Sequence, residues 1–310
     1  MALLREPLLA AARSSKLRSV AEKSRMTRPV VNRFVAGSTE VDALNVTRAL
    51  VQDGLTATLD FLGEDTTSVA QAQHTVAAYT SVLAALGSAG LAGNTEVSVK
   101  LSAIGQSLPV DGEKVALDGA RSICEAAAAV GTTVTVDMED HTTTDSTLSI
   151  VRELRADFPW VGAVLQAYLK RTEADCRDMA VAGSRIRLCK GAYAEPESVA
   201  FQGEAVDESY RRCLGVLFAG AGYPMVASHD PAMIAAARSL IGQHGRSADS
   251  YEFQMLYGIR PEEQKALARS GHRVRVYVPY GDEWYGYFMR RLAERPANLT
   301  FFLRSLTSRK

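Results

Sequence analysis

Cysteine is scarce in this chain, and long apolar runs are absent. The 310 residues include four cysteines, none in a Cys-x-x-Cys pair and none at a spacing typical of a zinc site. We therefore expect reduced, mostly buried thiols in a cytosolic protein. No run approaches the ~18 apolar residues that a membrane-spanning helix needs. Residues 1–12 are too short and too interrupted by charge to resemble a signal peptide.

An excess of one charge and the common nucleotide and hydrolase motifs are also missing. The formal net charge is zero, which gives no bulk electrostatic reason to expect a nucleic-acid partner. The sequence has no G-x-G-x-x-G after a strand, no G-x-x-x-x-G-K-[ST], no G-x-S-x-G and no H-E-x-x-H. These absences argue against a Rossmann NAD site, ATP hydrolysis, a serine hydrolase and a zinc peptidase.

What the chain does contain is a regular alternation of short β-branched runs with Ala/Leu-rich helical stretches. Eight such runs predict a (β/α)₈ TIM-like barrel over residues 51–310, preceded by a helical extension over residues 1–50. A final helix at 284–294 would lie over the barrel mouth. A doubly wound open sheet is the competing architecture, but it usually has fewer strands, and its cofactor motif is missing. The runs are 56–62, 96–101, 132–138, 163–168, 185–189, 224–228, 251–256 and 273–278.

Nearly every run ends on a hydrogen-bonding or ionisable side chain. The carboxyl ends of barrel strands meet at one mouth, so these side chains predict a polar pocket there. The residues are Asp60, Lys100, Asp137, Gln166, Arg187, His229, Gln254 and Tyr277.

The final helix carries two adjacent arginines. Arg290 and Glu294 are four residues apart and share a helix face, and Tyr287 lies one turn before Arg291. Two guanidinium forks suit a small carboxylate, because each can form two parallel hydrogen bonds. The alternative is a surface helix with an ordinary ion pair.

Cations near the strand ends have several interpretations. Lys100 is a salt-bridged lysine, a further cation for a substrate carboxylate, or a Schiff-base amine. Arg185 and Arg187 point the same way along their strand, and a guanidinium at the mouth requires an anion such as phosphate or a reduced flavin. Residues 136–141 hold four candidate metal ligands without a second cluster, so we expect no metal and a hydrogen-bonding role for Asp137.

The amino-terminal segment is basic. Residues 1–34 carry eight Lys and Arg against two Glu. Such a helical segment forms either a solvated face or a surface that contacts anionic lipid.

Eight segments, in chain order, resemble proline dehydrogenase in its monofunctional bacterial form. The resemblance runs from about residue 30 to the end and implies an eight-stranded barrel with noncovalent FAD at its mouth. The segments are VSVKLSAIG at 97–105, VTVDMED at 134–140, LQAYLKRT at 165–172, RIRLCKGAY at 185–193, VASHD at 226–230, EFQMLYG at 252–258, VYVPYG at 276–281 and YFMRRLAERPAN at 287–298.

The resemblance also implies roles for individual residues. Arg187 would lie near flavin N5, and Asp137 would be a catalytic carboxylate that orients its neighbours. The implied carboxylate-binding cations are Lys100, Arg290 and Arg291, with Glu294 as their partner near the substrate nitrogen. The implied walls around the substrate ring are Tyr277, Tyr287, Leu188, Ala192 and Tyr193. The implied FAD contacts are Met138, Gln166, Arg187, Cys189, Lys190, Gly191, Ser228 and His229.

The implied reaction is hydride transfer from C5 of L-proline to flavin N5. The product is Δ¹-pyrroline-5-carboxylate, and a quinone takes the electrons. This reaction is the first step of proline catabolism. We expect a cytoplasmic enzyme, with peripheral contact at the inner face of the cell membrane as a further hypothesis and an oligomer compatible with the sequence. Two rivals remain: a Schiff-base lyase that uses Lys100 or Lys190, and a barrel that binds an amino acid without catalysis.

Overall fold

Eight short apolar segments form strands, and each pairs in parallel with the next until β8 pairs with β1 and closes a barrel. The computed structural model describes residues 31–63 and 66–294, with side chains described up to Met289. The strands are β1 Thr56–Phe61, β2 Thr95–Lys100, β3 Thr133–Asp137, β4 Gly162–Gln166, β5 Arg185–Cys189, β6 Tyr223–Ala227, β7 Glu252–Leu256 and β8 Val274–Tyr280.

Helices follow the strands and cover the outside of the barrel. The described α-helices are α1 Glu40–Gln52, α2 Val69–Ser88, α3 Gly112–Val130, α4 Thr144–Asp157, α5 Thr172–Met179, α6 Glu204–Ala219, α7 Pro231–Gln243, α8 Pro261–Arg269 and α9 Trp284–Glu294. Three short 3₁₀ turns lie at Ala92–Asn94, Ser102–Ile104 and His141–Thr143.

The predicted fold class is confirmed. Each of the eight predicted runs overlaps one strand, and their ends differ by no more than two residues. The pairing of β1 with β8 excludes the open sheet. Because all strands run in one direction, their carboxyl ends form a single mouth.

Local sequence sets the start of several helices. Thr39 caps α1 with a full capping box, in which its hydroxyl accepts from the backbone N–H of Asp42 and the Asp42 carboxylate accepts from the Thr39 N–H. Asp230 caps α7, and Pro231 occupies the first turn, where no backbone donor is needed.

The barrel has an apolar outer layer and a charged interior. On the outside, Leu83, Ile123 and Leu214 are fully buried between helices and strands. On the inside, Glu96 and Arg187 are also buried. The strands are therefore covered on both faces, as in other parallel sheets.

A second apolar cluster fixes α9 beside the mouth. Phe34 and Leu62 pack there with Tyr285 and Phe288. The ring centres of Phe34 and Phe288 are 6.2 Å apart. This packing anchors the helix that the sequence assigned to the mouth.

Most of the predicted amino-terminal extension, residues 1–30, lies outside the described residues, so its helical nature stays a prediction. Within residues 31–63 and 66–294, no helix combines the length and the apolar character that a membrane crossing requires.

Candidate active site

A cavity of about 480 Å³ opens at the carboxyl ends of the strands. Seven of the eight predicted strand-end residues line it, namely Asp60, Lys100, Asp137, Arg187, His229, Gln254 and Tyr277. Other predicted site residues also line it, namely Met138, Cys189, Lys190, Gly191, Ala192, Tyr193, Ser228 and Tyr287. Segments far apart in sequence thus contribute to one pocket.

Two predicted site residues lie behind the cavity wall. Leu188 is fully buried in the main core, because alternation along β5 places it on the side opposite Arg187 and Cys189. Gln166 is buried behind Met138, and its amide nitrogen donates to the carbonyl oxygens of Met138 and Glu139 at 3.1 and 2.7 Å. Neither side chain lines the cavity.

The predicted arginine clamp falls on the last described helix. The backbone of α9 extends to Glu294 beside the mouth, and Tyr287 on the same helix reaches the cavity. The side chains of Arg290, Arg291 and Glu294 lie outside the described residues, so the clamp stays a prediction.

Arg187 is the central cation of the site. It is 5% exposed, and its guanidinium donates to Asp137 at 2.6 Å, to Gln254 at 2.5 Å and to Glu96 at 3.0 Å. Burial would lower the pKa of Arg187, but Asp137 and Glu96 outweigh burial and raise it. Arg187 is therefore a permanent positive charge at the cavity floor.

Lys100 reaches the cavity from β2 and forms an ion pair with Asp60 of β1. Its Nζ lies 3.2 Å from Oδ2 of Asp60, a side chain that is almost fully buried. Burial raises the pKa of Asp60, and Lys100 offsets part of that effect. Lys100 and Asp60 thus form a paired cation and carboxyl group in the cavity lining.

The β5–α6 loop forms one wall through an unusual backbone. Gly191 has φ +117°, and a Cβ added there would come within 2.2 Å of the Tyr168 ring. Only glycine permits both this φ and this approach. Glu195 holds the loop in place. Its carboxylate accepts a hydrogen bond from Tyr168 Oη at 3.2 Å and pairs with the ring of His141.

Lys190 and His229 are held by partners on neighbouring elements of the barrel. Lys190 pairs with Asp207 at 2.5 Å and Asp230 at 2.7 Å. Burial would lower the pKa of Lys190, but these two carboxylates raise it, so the amine stays charged. His229 Nε2 accepts from the Leu256 N–H at 2.9 Å, which orients the ring at the cavity edge.

Cys189 also faces the cavity, but it is not a reactive thiol. Burial raises the pKa of Cys189 to about 12, well above the range in which a thiolate forms near neutral pH. Cys189 therefore contributes a packing contact to the cavity wall and does not act as a nucleophile.

Three buried charged residues below the cavity were not predicted from the sequence. Glu96, Glu252 and Arg275 lie inside the barrel, where the two glutamates are fully buried and Arg275 nearly so. The available signal was a charged residue inside an otherwise apolar strand, which is rare unless the charge is paired.

Comparison with known proteins agrees with this geometry. The family model described as proline dehydrogenase matches residues 43–304. The chain is 42% identical over 281 residues to Proline dehydrogenase 1 of Bacillus subtilis (strain 168). The aligned segment covers 90% of this chain and 91% of that protein. It is 41% identical over 280 residues to the proline dehydrogenase of Deinococcus radiodurans, covering 89% of this chain and 90% of that protein.

A solved structure shares the fold. The proline utilization A (PutA) of Bdellovibrio bacteriovorus inactivated by N-propargylglycine superposes with a TM-score of 0.81 over 92% of this chain and 34% of that one. At 24% identity, this likeness establishes the fold alone. The family match and the close relatives together show that the chain belongs to the proline dehydrogenase family and is an enzyme of proline catabolism.

Proposed function

We propose that this enzyme oxidises L-proline to Δ¹-pyrroline-5-carboxylate with noncovalent FAD and passes the electrons to a quinone. One observation carries the proposal. Within a proline dehydrogenase fold, one cavity is lined by Lys100, Arg187 and Lys190, each paired with a carboxylate that also lines it, and by apolar side chains. A ligand that has both charged groups and a flat ring suits such a mixed lining.

The residues present fit a flavin. The cavity volume lies in the usual range for cofactor sites, and Met138, Val164 and Met255 offer an apolar surface for a planar ring.

Proline would bind between the cofactor and α9. Lys100 would pair with the substrate carboxylate, together with Arg290 and Arg291, and Glu294 would balance these cations near the substrate nitrogen. Tyr277, Tyr287, Ala192 and Tyr193 would enclose the pyrrolidine ring. This enclosure excludes water and restricts the orientation of C5.

The reaction removes a hydride from proline C5 and a proton from its nitrogen, and the C5=N double bond of the product forms. FAD, when bound, supplies the two-electron oxidant for that hydride. Arg187 compensates the negative charge that accumulates at the cavity floor. Asp137 holds Arg187 and Tyr277 in place through hydrogen bonds of 2.6 and 2.7 Å.

The alternative use of lysine as a Schiff-base nucleophile is disfavoured. A lysine nucleophile must lose its proton, but Asp207 and Asp230 raise the pKa of Lys190. Lys100 is paired with Asp60 at 3.2 Å, so its amine is already engaged by a carboxyl group.

The absorbance spectrum of the purified protein tests the proposal. We expect flavin bands at about 380 and 450 nm, as flavins generally show, bleaching by proline without oxygen, and recovery on adding a soluble quinone. A colourless protein that binds proline would support the binding barrel instead, and trapping by borohydride with a substrate would support the lyase.

Glycine variants sharpen this test. Gly191→Ala places a methyl against the Tyr168 ring and should lower the FAD content of the purified enzyme. Gly271→Ala is the matched control, because Gly271 also has a positive φ of +85° but open space around it. Equal FAD content in the two variants would contradict the assignment of the Gly191 loop to the cofactor.

A further inference from the structure

A five-membered ion network fills the barrel below the cavity. It contains three arginines and two glutamates, namely Arg185, Arg187, Arg275, Glu96 and Glu252. Arg275 pairs with Glu252 at 2.8 Å, and Glu96 contacts both Arg185 at 2.7 Å and Arg187 at 3.0 Å. Only Arg187 among these five lines the cavity.

Glu96 lies at the centre of this network. It is 0% exposed, and it accepts from the Thr58 hydroxyl at 2.8 Å in addition to its arginines. Burial alone would raise the pKa of Glu96, but the surrounding arginines outweigh burial and lower it to about 2. The side chain is therefore an anion at neutral pH.

Arg187 is held between two carboxylates. Asp137 binds its Nη1 from the cavity side at 2.6 Å, and Glu96 binds its Nη2 from below at 3.0 Å. With Asp137, Glu96 and Glu252 against three arginines, the interior charges balance. Removal of the Glu96 charge would leave one uncompensated positive charge next to Arg187.

We propose that Glu96 is a positioning residue that fixes the Arg187 guanidinium beneath the cofactor and limits the positive potential that the flavin experiences. The inference rests on the proposed flavin site. A stronger positive potential stabilises the electron-rich reduced flavin and raises its midpoint potential. Glu96 therefore sets how readily the reduced cofactor gives its electrons to the next acceptor.

The test is a spectroelectrochemical titration of the FAD-bound enzyme. Glu96→Gln keeps a hydrogen-bond acceptor but removes the charge. We expect its oxidised–reduced equilibrium to move about tenfold towards reduced flavin, which is about 30 mV for a two-electron couple. Glu252→Gln is the matched control, because it removes an equally buried carboxylate that pairs with Arg275. We expect a change of less than about threefold there, since the pairwise effect weakens with distance.

A purely structural role predicts something else. Both variants would lower the urea midpoint of unfolding to a similar extent, and neither would shift the flavin potential selectively. Equal shifts in the two variants, or no shift in Glu96→Gln, would overturn the inference.

Arg185→Gln keeps the inference testable if Glu96→Gln does not fold. It removes the cation on the far side of Glu96, outside the cavity lining, so the flavin potential should fall instead of rise. An unchanged or raised potential would count against the proposal. A wild-type protein that binds no flavin would refute the proposed function itself, whereas a flavin-bound enzyme with unmoved potentials refutes this inference alone.

Discussion

The hydroxyl of Tyr277 donates a 2.7 Å hydrogen bond to Asp137 and thereby joins β8 to β3 across the barrel mouth. The Tyr277 ring also lies against Arg187, whose Cζ is 5.3 Å from the ring centre. Burial raises the pKa of Tyr277 well above its usual value, so the phenol stays a donor. One tyrosine thus orients both polar groups that line the cavity floor.

Loss of this hydrogen bond should reduce catalysis. Tyr277→Phe leaves one oxygen of Asp137 without its donor, which typically costs about 1–3 kcal/mol. We expect kcat/KM for proline to fall by about 5- to 150-fold at ~1.4 kcal/mol per decade. Steady-state kinetics of FAD-replete enzyme measures the effect.

Tyr280→Phe is the matched control on the same strand. The Tyr280 hydroxyl is buried and has no hydrogen-bond partner among the described residues, so its removal should leave kcat/KM unchanged. A similar loss in both variants would show that the Tyr277 hydroxyl has no specific role.

The size of Tyr277 should determine substrate choice. Its ring lines the cavity and would crowd a 4-hydroxyl group on the substrate. We expect the wild-type enzyme to prefer proline to 4-hydroxyproline, and Tyr277→Ala to narrow the ratio of the two kcat/KM values. Equal efficiency of the wild type on the two substrates would refute the crowding argument.

The arginines of α9 should govern affinity for proline. Truncating one partner of a buried charged pair typically costs about 2–5 kcal/mol, or about 30- to 4,000-fold in affinity. We therefore expect Arg290→Ala and Arg291→Ala each to raise the KM for proline strongly. Arg269→Ala, at an exposed position of α8, serves as the control. An unchanged KM in both α9 variants would contradict the clamp.

Acid should destabilise the fold partly through Glu96. Its pKa is about 2 in the folded chain and about 4.3 when unfolded, so its contribution is present above ~4.3 and is lost as the pH falls towards 2. The linked stability is on the order of 3 kcal/mol. Urea unfolding at about pH 7 and about pH 3 should show a smaller acid loss in Glu96→Gln than in the wild type. Parallel losses in the two proteins would argue against an ionised Glu96.

The basic amino-terminal segment should bind anionic membranes. We expect the full chain to co-sediment with vesicles rich in phosphatidylglycerol, and a chain without residues 1–30 to stay in the supernatant. Binding should weaken as salt increases, because it rests on lysines and arginines. The absence of binding by both chains would remove the membrane hypothesis.

Local sequence determined the strands of this protein and the residue types at their ends. Runs rich in β-branched residues specify where strands form, and period-two alternation indicates which side chains face inwards. That was sufficient to predict the barrel, the mouth and seven residues of the cavity lining, including Lys100, Arg187 and Tyr277. Alternation along β5 also puts Leu188 on the face opposite Arg187, in the core, whereas the resemblance implies that Leu188 is part of the wall around the substrate ring.

Only the closed barrel decided which charges meet. Arg187 and Glu96 are 91 residues apart in sequence, and Tyr277 and Asp137 are 140 apart. These contacts depend on strand register and on closure of the barrel, which bring distant segments of the chain together. A local sequence pattern does not specify which distant residues will meet. The buried network around Glu96 is therefore a property of the tertiary structure, since a charge inside an apolar strand is stable only where its partners arrive from other strands.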